Sequence, residues 1–223
     1  MSPVPVVVLI SGRGSNLQAI LDAACVRELP IEIRAVISNN PAAAGLELAR
    51  RAGIPTEVLD HHAYPAREPY DQALRALIDR YEPGLVVLAG FMRILGKAFI
   101  AHYAGRLINI HPSLLPAFRG LDTHTRALQA GVARHGATVH FVTEEVDGGP
   151  IVIQASVPVQ ADDTAHSLAE RVLREEHRIY PLAIRWFAEG RLSIRDGRVL
   201  LDGRRRPEQS LAEENNSSAA GGP

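Results

Sequence analysis

The sequence predicts an α/β protein with a Rossmann-like, mostly parallel twisted sheet, helices on both faces, and a mixed sheet in the C-terminal half. Three patterns support this prediction. Residues 5–10 form a continuous β-branched run that ends in glycine-rich sequence, as expected for a strand buried on both faces. Strand-like runs then alternate with segments of helical periodicity, which indicates right-handed βαβ units. Residues 151–159 alternate in polarity and can pair antiparallel with residues 137–143 across a glycine-rich turn.

The first half of the chain contains four predicted helices between five predicted strands. Asn16 can cap the first helix, whose apolar residues recur at helical spacing to about residue 28. Gly53 ends the second helix, and the Pro83-Gly84 pair follows the third. In order, the predicted elements are strand 5–10, helix 16–28, strand 31–37, helix 41–52, strand 56–59, helix 66–81, strand 85–89, helix 96–103 and strand 107–110.

The second half continues with a predicted helix at 125–133 before the strands 137–143 and 151–159. Thr164 opens a long helix to about residue 180, and we expect Pro181 to kink it or to begin another segment. The Asp196-Gly197 pair predicts a final hairpin. We interpret residues 1–207 as a single domain and predict that residues 208–223, rich in Ser, Asn, Glu, Ala and Gly, form a disordered tail.

Composition indicates a soluble cytoplasmic protein that acts on small molecules. Hydrophobic residues make up 46% of the chain and charged residues 22%, while the net charge of −1 argues against a nucleic-acid surface. No apolar run reaches the roughly 20 residues that cross a bilayer, and no signal-peptide pattern opens the chain. The single cysteine, Cys25, excludes an internal disulfide, and we expect it to be a small buried hydrophobe on a helix.

A glycine-rich loop separates the first strand from the first helix, with the sequence Ser-Gly-Arg-Gly-Ser-Asn at residues 11–16. Its glycines allow a sharp turn, and free N–H groups at a helix start attract an anion such as phosphate. The dinucleotide fingerprint is incomplete, because a third glycine is missing and Glu32 lies too early on its strand for a ribose carboxylate. A tight turn without a ligand is the alternative.

Asn109 and His111 stand two residues apart at the end of a buried strand, so both side chains point to one face of the sheet. An amide donor and an imidazole suit a developing oxyanion, which makes both residues catalytic candidates. If Asp147 lies within about 4–6 Å of His111, its charge raises the histidine pKa, and the ring is then charged near neutral pH. Otherwise these residues satisfy loop backbone groups or form a turn.

The remaining histidines do not predict a metal site. The chain has no His-Glu-x-x-His motif, and one cysteine cannot build a structural zinc site. His140, on the strand before Asp147, can line the same cleft or serve as a core histidine. We therefore expect no metal in the reaction.

Four motifs occur together in a fixed order, at residues 10–18, 88–95, 109–116 and 140–150. In combination they resemble the phosphoribosylglycinamide formyltransferases, the folate-dependent family of purine synthesis, from about residue 6 to residue 207. The resemblance implies the formyltransferase fold. It also implies formyl transfer from the cosubstrate 10-formyltetrahydrofolate to the amine of phosphoribosylglycinamide, small-molecule substrates only, and a monomer or homodimer.

The resemblance implies a role for each matching residue. Catalysis would use Asn109, His111 and Asp147. The ribosyl phosphate substrate would contact Gly14, Ser15, Asn16 and Glu176. The folate would contact Arg67, Met92, Arg93, Ile94, Leu95 and Asn109. Arg13 and the loop 117–123 fall at positions that vary in the family, so the resemblance gives them no role.

Two related enzymes and a non-enzyme are the alternatives. A formyltetrahydrofolate hydrolase delivers the formyl group to water, but usually has an extra N-terminal regulatory domain, whereas the first strand here starts by Pro5. A methionyl-tRNA formyltransferase is expected to have an extra C-terminal domain and a basic surface. A phosphate-binding module that has lost activity would not need an intact catalytic trio.

Overall fold

Seven strands form the central sheet of the computed structural model, which describes residues 2–26 and 29–204. They are β1 Val4–Ile10, β2 Ile31–Ser38, β3 Thr56–Val58, β4 Leu85–Leu88, β5 Leu107–His111, β6 Arg134–Phe141 and β7 Ile151–Pro158. Their order is β3-β2-β1-β4-β5-β6-β7, with parallel pairing from β3 to β5 and antiparallel pairing from β5 to β7. The mostly parallel sheet, mixed in its C-terminal half, is therefore confirmed.

Helices cover both faces of this sheet. They are α1 Ser15–Cys25, α2 Gly45–Arg51, α3 Arg67–Asp79, α4 Lys97–His102, α5 Thr123–Gln129 and α6 Ala165–Ala188. The alternation of β1 explains the two layers: Val6 and Val8 pack into one apolar cluster with residues of α1 and α6, whereas Val7 and Leu9 pack into another with α3 and α4. A separate hairpin of β8 Leu192–Arg195 and β9 Arg198–Leu201 confirms the predicted final turn.

Several local predictions were wrong. Gly14, not Asn16, stands at the cap of α1, and no side chain caps that helix. Helix α6 continues through Pro181, so no separate segment begins there, because the buried side chains on either side of it keep the helix packed on the sheet. The alternative of a kink at Pro181 stays a prediction. Cys25 is exposed, since α1 ends there and the residue lies off its buried face.

Boundaries also shifted where turns competed with helices. Helix α2 begins at Gly45 rather than at residue 41, because the Asn40 side chain accepts the Ala42 N–H and forms a turn there. Helix α5 spans Thr123–Gln129 and β6 begins at Arg134, so both start earlier than predicted. The predicted tail at residues 208–223 and the predicted last turn of α1 at residues 27–28 lie outside the described residues.

The strand order reverses beside β1, and such a reversal leaves a crevice at the carboxyl ends of the strands. The chain proceeds from β1 to β2 and β3 on one side, then returns to β4 and β5 on the other side of β1. Ligands of open α/β sheets bind at the carboxyl ends of strands beside such a reversal. The glycine loop follows β1, residues 89–96 follow β4, and His111 ends β5, so all three meet this edge. None of the described helices is long and apolar enough to span a bilayer.

Candidate active site

The glycine loop turns tightly from β1 into α1 and is pressed against the start of α2. Gly14 has a φ of +79°, and a Cβ at this position would lie 2.7 Å from the Cα of Gly45. Both the backbone angle and the close approach therefore require glycine. Ser15 begins α1, so the first N–H groups of the helix lie at this loop. The loop has the features that attract an anion.

Asn16 connects this loop to the long C-terminal helix. Its Nδ2 donates a hydrogen bond of 2.7 Å to Oε2 of Glu176, although the two residues are 160 positions apart. Both side chains are buried, and Asn16 Oδ1 has no partner among the described groups. Burial raises the pKa of Glu176, and the bond from Asn16 opposes this shift without cancelling it. The two predicted substrate residues thus form one polar pair at the loop.

Residues 92–95, which follow β4, include two exposed apolar side chains. Met92 is 66% exposed and Ile94 is 60% exposed, whereas Leu95 is buried in the core. Large exposed apolar side chains next to backbone polar groups suit a flat heteroaromatic ligand. Among the predicted folate residues, Met92 and Ile94 are therefore exposed, whereas Leu95 is part of the core.

The two arginines predicted for the folate both act on the carboxyl group of Asp71. Arg93 places its guanidinium 6.0 Å from the ring centroid of Tyr70, and Arg67 begins α3. Burial raises the pKa of Asp71, while the Gly96 N–H and the charges of Arg67 and Arg93 oppose the rise. Both cations therefore lie within electrostatic reach of one buried carboxyl group.

The predicted catalytic trio converges at the end of β5. His111 Nδ1 lies 3.4 Å from Oδ2 of Asp147, which the loop between β6 and β7 supplies. The Gly120 N–H donates to the same oxygen at 2.9 Å, and His111 Nε2 lies 3.0 Å from the Phe118 carbonyl oxygen. Both ring nitrogens of His111 thus face acceptors. The predicted proximity of His111 and Asp147 is present.

The loop that presents Asp147 depends on its glycines. Asp147 has a φ of +50°, a left-handed conformation that Asp tolerates better than most residues. At Gly149 a Cβ would lie 1.8 Å from the Phe141 carbonyl oxygen, so no larger residue fits. The Asp-Gly-Gly sequence therefore specifies a bend that points the carboxylate inward.

His140 is a site residue on which the sequence left two interpretations open. Its Nε2 lies 3.3 Å from Asn109 Nδ2 and 3.7 Å from Asp147 Oδ1, and its Nδ1 lies 2.9 Å from the Phe141 carbonyl oxygen. Nε2 faces both the Asn109 amide and the Asp147 carboxylate, so the tautomer of the ring decides which of the two it bonds. His140 is both buried and part of the cleft. Its register opposite Asn109 on the neighbouring strand was the available signal.

The protonation of His111 differs from the prediction. Burial lowers the pKa of His111 below its ordinary value, and this effect exceeds the opposing effects of the Phe118 carbonyl and the Asp147 charge. The expected charge near neutral pH was therefore wrong for the ligand-free site, because desolvation was not weighed. Burial would raise the pKa of Asp147, but hydrogen bonds from His140 and Gly120 and the charge of His111 lower it overall.

One group of potential metal ligands occurs among the described residues, outside the trio. Asp60, His61 and His62 place three ligand atoms within 4.8 Å of one another. His61 Nδ1 already lies 3.0 Å from the Asn39 carbonyl oxygen, and His62 is exposed. Exposed groups of this kind are common without an ion, and this one touches none of the three catalytic candidates in the described contacts.

Comparison with known proteins agrees with this geometry. A family model described as formyl transferase matches residues 4–184. Phosphoribosylglycinamide formyltransferase of Escherichia coli (strain K12) is 55% identical over 209 residues, which are 94% of this chain and 99% of that protein. The enzyme of the same name from Haemophilus influenzae is 45% identical with the same coverage of each chain.

Solved structures give the same result. A phosphoribosylglycinamide formyltransferase from Coxiella burnetii has a TM-score of 0.86 and 53% identity over 91% of this chain and 95% of its own. A formyltetrahydrofolate deformylase from Pseudomonas syringae has a TM-score of 0.84 but 30% identity, over 89% of this chain and 66% of its own. The chain belongs to the formyl transferase family, and within it to the phosphoribosylglycinamide formyltransferases.

Proposed function

We propose that this protein transfers the formyl group of 10-formyltetrahydrofolate to the amine of N1-(5-phospho-D-ribosyl)glycinamide. The products are the N-formyl compound and tetrahydrofolate, a step of de novo purine (IMP) biosynthesis. The observation that supports this most strongly is the convergence of Asn109, His111 and Asp147 at the end of β5. The neighbouring strand β4 leads into residues 92–95, and β1 beside it leads into the glycine loop. One edge of the sheet then offers an anion site, an apolar site and an acid–base group together.

The phosphorylated substrate is proposed to bind at the glycine loop. Its phosphate would accept hydrogen bonds from the N–H groups at Gly14, Ser15 and Asn16, aided by the dipole of α1. Glu176 would hold the ribose hydroxyls, because its carboxyl group is already directed toward Asn16. Substrate binding at this pair would also offer a donor to the unpartnered Asn16 Oδ1.

The folate is proposed to lie over residues 92–95. Met92 and Ile94 would contact its pterin ring, while the backbone of this segment would meet the polar ring edges. Arg67 and Arg93 would meet the carboxylate end, since both are cationic and both lie within electrostatic reach of Asp71. Asn109 would contact the formyl group itself.

The substrate amine attacks the formyl carbon, and the carbonyl electrons move to oxygen to give a tetrahedral oxyanion. Asn109 and the His111 imidazole would hold this oxyanion, which would replace the Phe118 carbonyl oxygen as the acceptor at His111 Nε2. The nitrogen of the folate that carries the formyl group takes up a proton as its bond to carbon breaks, and the carbonyl re-forms. The amine loses one proton over the same sequence, so atoms and charge balance without a covalent enzyme intermediate.

His111 is proposed to enter this cycle neutral, to take up the proton that the attacking amine loses as negative charge develops, and to give it up to the leaving folate nitrogen. Its lowered pKa in the free site results from burial, which a nearby anion counteracts. The Asp147 carboxylate is in place to stabilise the imidazolium, and a bound water beside it would relay protons from the amine to the leaving nitrogen. The buried environment strengthens each of these interactions.

The remaining expectations belong to the same proposal. The protein would act in the cytoplasm on small molecules alone, as a monomer or homodimer, with residues 1–207 as one formyltransferase domain. No metal takes part, because the proposed oxyanion donors are an amide and an imidazole.

The test is a reaction of purified protein with 10-formyltetrahydrofolate, with and without phosphoribosylglycinamide. Tetrahydrofolate should form only when the amine is present, and His111→Ala should abolish it. Equal turnover without the amine would instead assign a hydrolase, for which the deformylase of the same fold is the precedent. No turnover in either case would leave a binding module.

A further inference from the structure

Asp71 connects α3 to the segment proposed to carry the folate. Its side chain is 7% exposed, and its Oδ2 accepts the Gly96 N–H at 2.7 Å. Gly96 directly follows residues 92–95 and precedes α4. The carboxylate therefore bonds the residue at the C-terminal end of that segment to α3, near which Arg93 also lies, at the ring of Tyr70.

The other end of the segment is held in the same manner by a different element. The Met92 N–H donates to Ser11 Oγ at 2.8 Å, and this hydroxyl donates in turn to Asn39 Oδ1 at 2.5 Å. Ser11 follows β1, whereas Asp71 lies on α3. The side chains of Ser11 and Asp71 thus bond the backbone at residues 92 and 96, while Met92 and Ile94 stay exposed.

The fit at Gly96 is specific. A Cβ at this position would lie 2.9 Å from Asp71 Oδ2, so the close approach of the carboxylate depends on glycine. The charges of Arg67 and Arg93 also act on Asp71. Asp71 therefore bonds the residue that directly follows the segment, and its carboxylate lies within electrostatic reach of the two cations proposed for the folate carboxylates.

We propose that Asp71 is a positioning residue for the folate, acting through Gly96 on residues 92–95. This inference rests on the proposed function. Because Asn109, His111 and Asp147 lie on other elements, Asp71 controls cosubstrate binding and not the chemical step. Its loss should raise the Kd and KM for 10-formyltetrahydrofolate and leave kcat nearly unchanged.

The experiment compares Asp71→Ala and Asp71→Asn with Asp79→Ala. Asp79 is a matched control, because it lies on the same helix and accepts a hydrogen bond of 2.8 Å from Tyr103 Oη at the end of α4, yet has no contact with Gly96 in the described bonds. For each variant we would measure the Kd for 10-formyltetrahydrofolate by calorimetry, the kinetic constants, and amide hydrogen exchange across residues 92–96.

Asp71→Ala should raise the folate Kd and KM about tenfold or more, as expected for loss of a charged acceptor, and accelerate exchange at Gly96. Asp71→Asn keeps an oxygen for the Gly96 N–H, so Gly96 should stay protected from exchange and the folate Kd and KM should rise less. Asp79→Ala should lower stability alone. An unchanged Kd or unchanged exchange in Asp71→Ala, or an equal rise in Asp79→Ala, overturns the inference.

The two proposals can fail separately. A wild-type protein that binds the folate but transfers no formyl group would remove the proposed function, while Kd and exchange would still decide the role of Asp71. A wild-type protein that does not bind the folate would overturn both.

Discussion

Asp147→Asn tests the electrostatic part of the site with little change in shape. The substitution removes a unit charge 3.4 Å from His111 Nδ1. At an effective dielectric of about 20, two unit charges at this distance interact by about 5 kcal/mol. The loop N–H groups and the partial exposure of Asp147 reduce that value, and neighbouring charges in proteins shift a pKa by about 1–3 units, or about 1.4–4 kcal/mol.

We therefore expect the pKa of His111 to fall by about 1–3 units in Asp147→Asn and kcat/KM to fall about 10- to 1,000-fold. Histidine ring resonances followed by NMR across pH measure the first change, and steady-state kinetics measure the second. Glu145→Gln is the control, since Glu145 lies on the same loop and pairs with Arg119 at the surface. An unmoved His111 pKa in Asp147→Asn, or equal losses in the control, would refute the reasoning.

Three further predictions concern the oxyanion, acid stability and the anchoring of α6. Asn109→Ala should lower kcat about 100- to 1,000-fold with intact folding by circular dichroism, because it removes an oxyanion donor. Burial lowers the pKa of His135 to about 4 from its ordinary 6.5. Between these two pH values the unfolded state binds a proton that the folded state does not bind. The free energy of unfolding should therefore fall by up to about 3 kcal/mol as the pH drops from about 6.5 to about 4. Urea unfolding at a series of pH values measures this change, and His135→Gln should lose this part of the pH dependence. Tyr180→Phe removes a buried 2.8 Å hydrogen bond to the Leu88 carbonyl oxygen and should cost about 1–3 kcal/mol in urea unfolding, with unchanged KM values.

Patterns of periodicity and turn chemistry predicted most of the fold, because these are local signals that tertiary packing reinforced. The β-branched run of β1 and the glycine loop after it were correctly placed, as was the antiparallel pairing of β6 with β7. Pro181 does not begin a new segment, because helix propensity is a weak determinant once buried side chains on both sides pack. The cap of α1 was misassigned because Asn16 bonds to a residue 160 positions away, which no local rule can detect.

The candidate site was predictable in composition but not in electrostatics. Period two placed Asn109 and His111 on one face, and Asp147 meets the condition set for it, a position within about 4–6 Å of His111. The sign of the His111 pKa shift depends on how much water the fold excludes, and that quantity is absent from a sequence motif. The role of His140 was also left open, because a core histidine and a cleft histidine occur in the same sequence pattern.

The two buried carboxyl groups of the site have opposite electrostatic behaviour, which separates their proposed roles. Asp147 has several donors, and its pKa is lowered, so it stays ionised beside His111. Glu176 has the Asn16 amide alone among the described hydrogen-bond partners, and burial raises its pKa toward the neutral form. A neutral Glu176 would not repel a phosphate dianion at the glycine loop, whereas an ionised Asp147 is needed where positive charge develops. Glu176→Gln, which carries no charge and keeps an oxygen at this position, should therefore retain phosphate affinity, while Asp147→Asn loses catalysis.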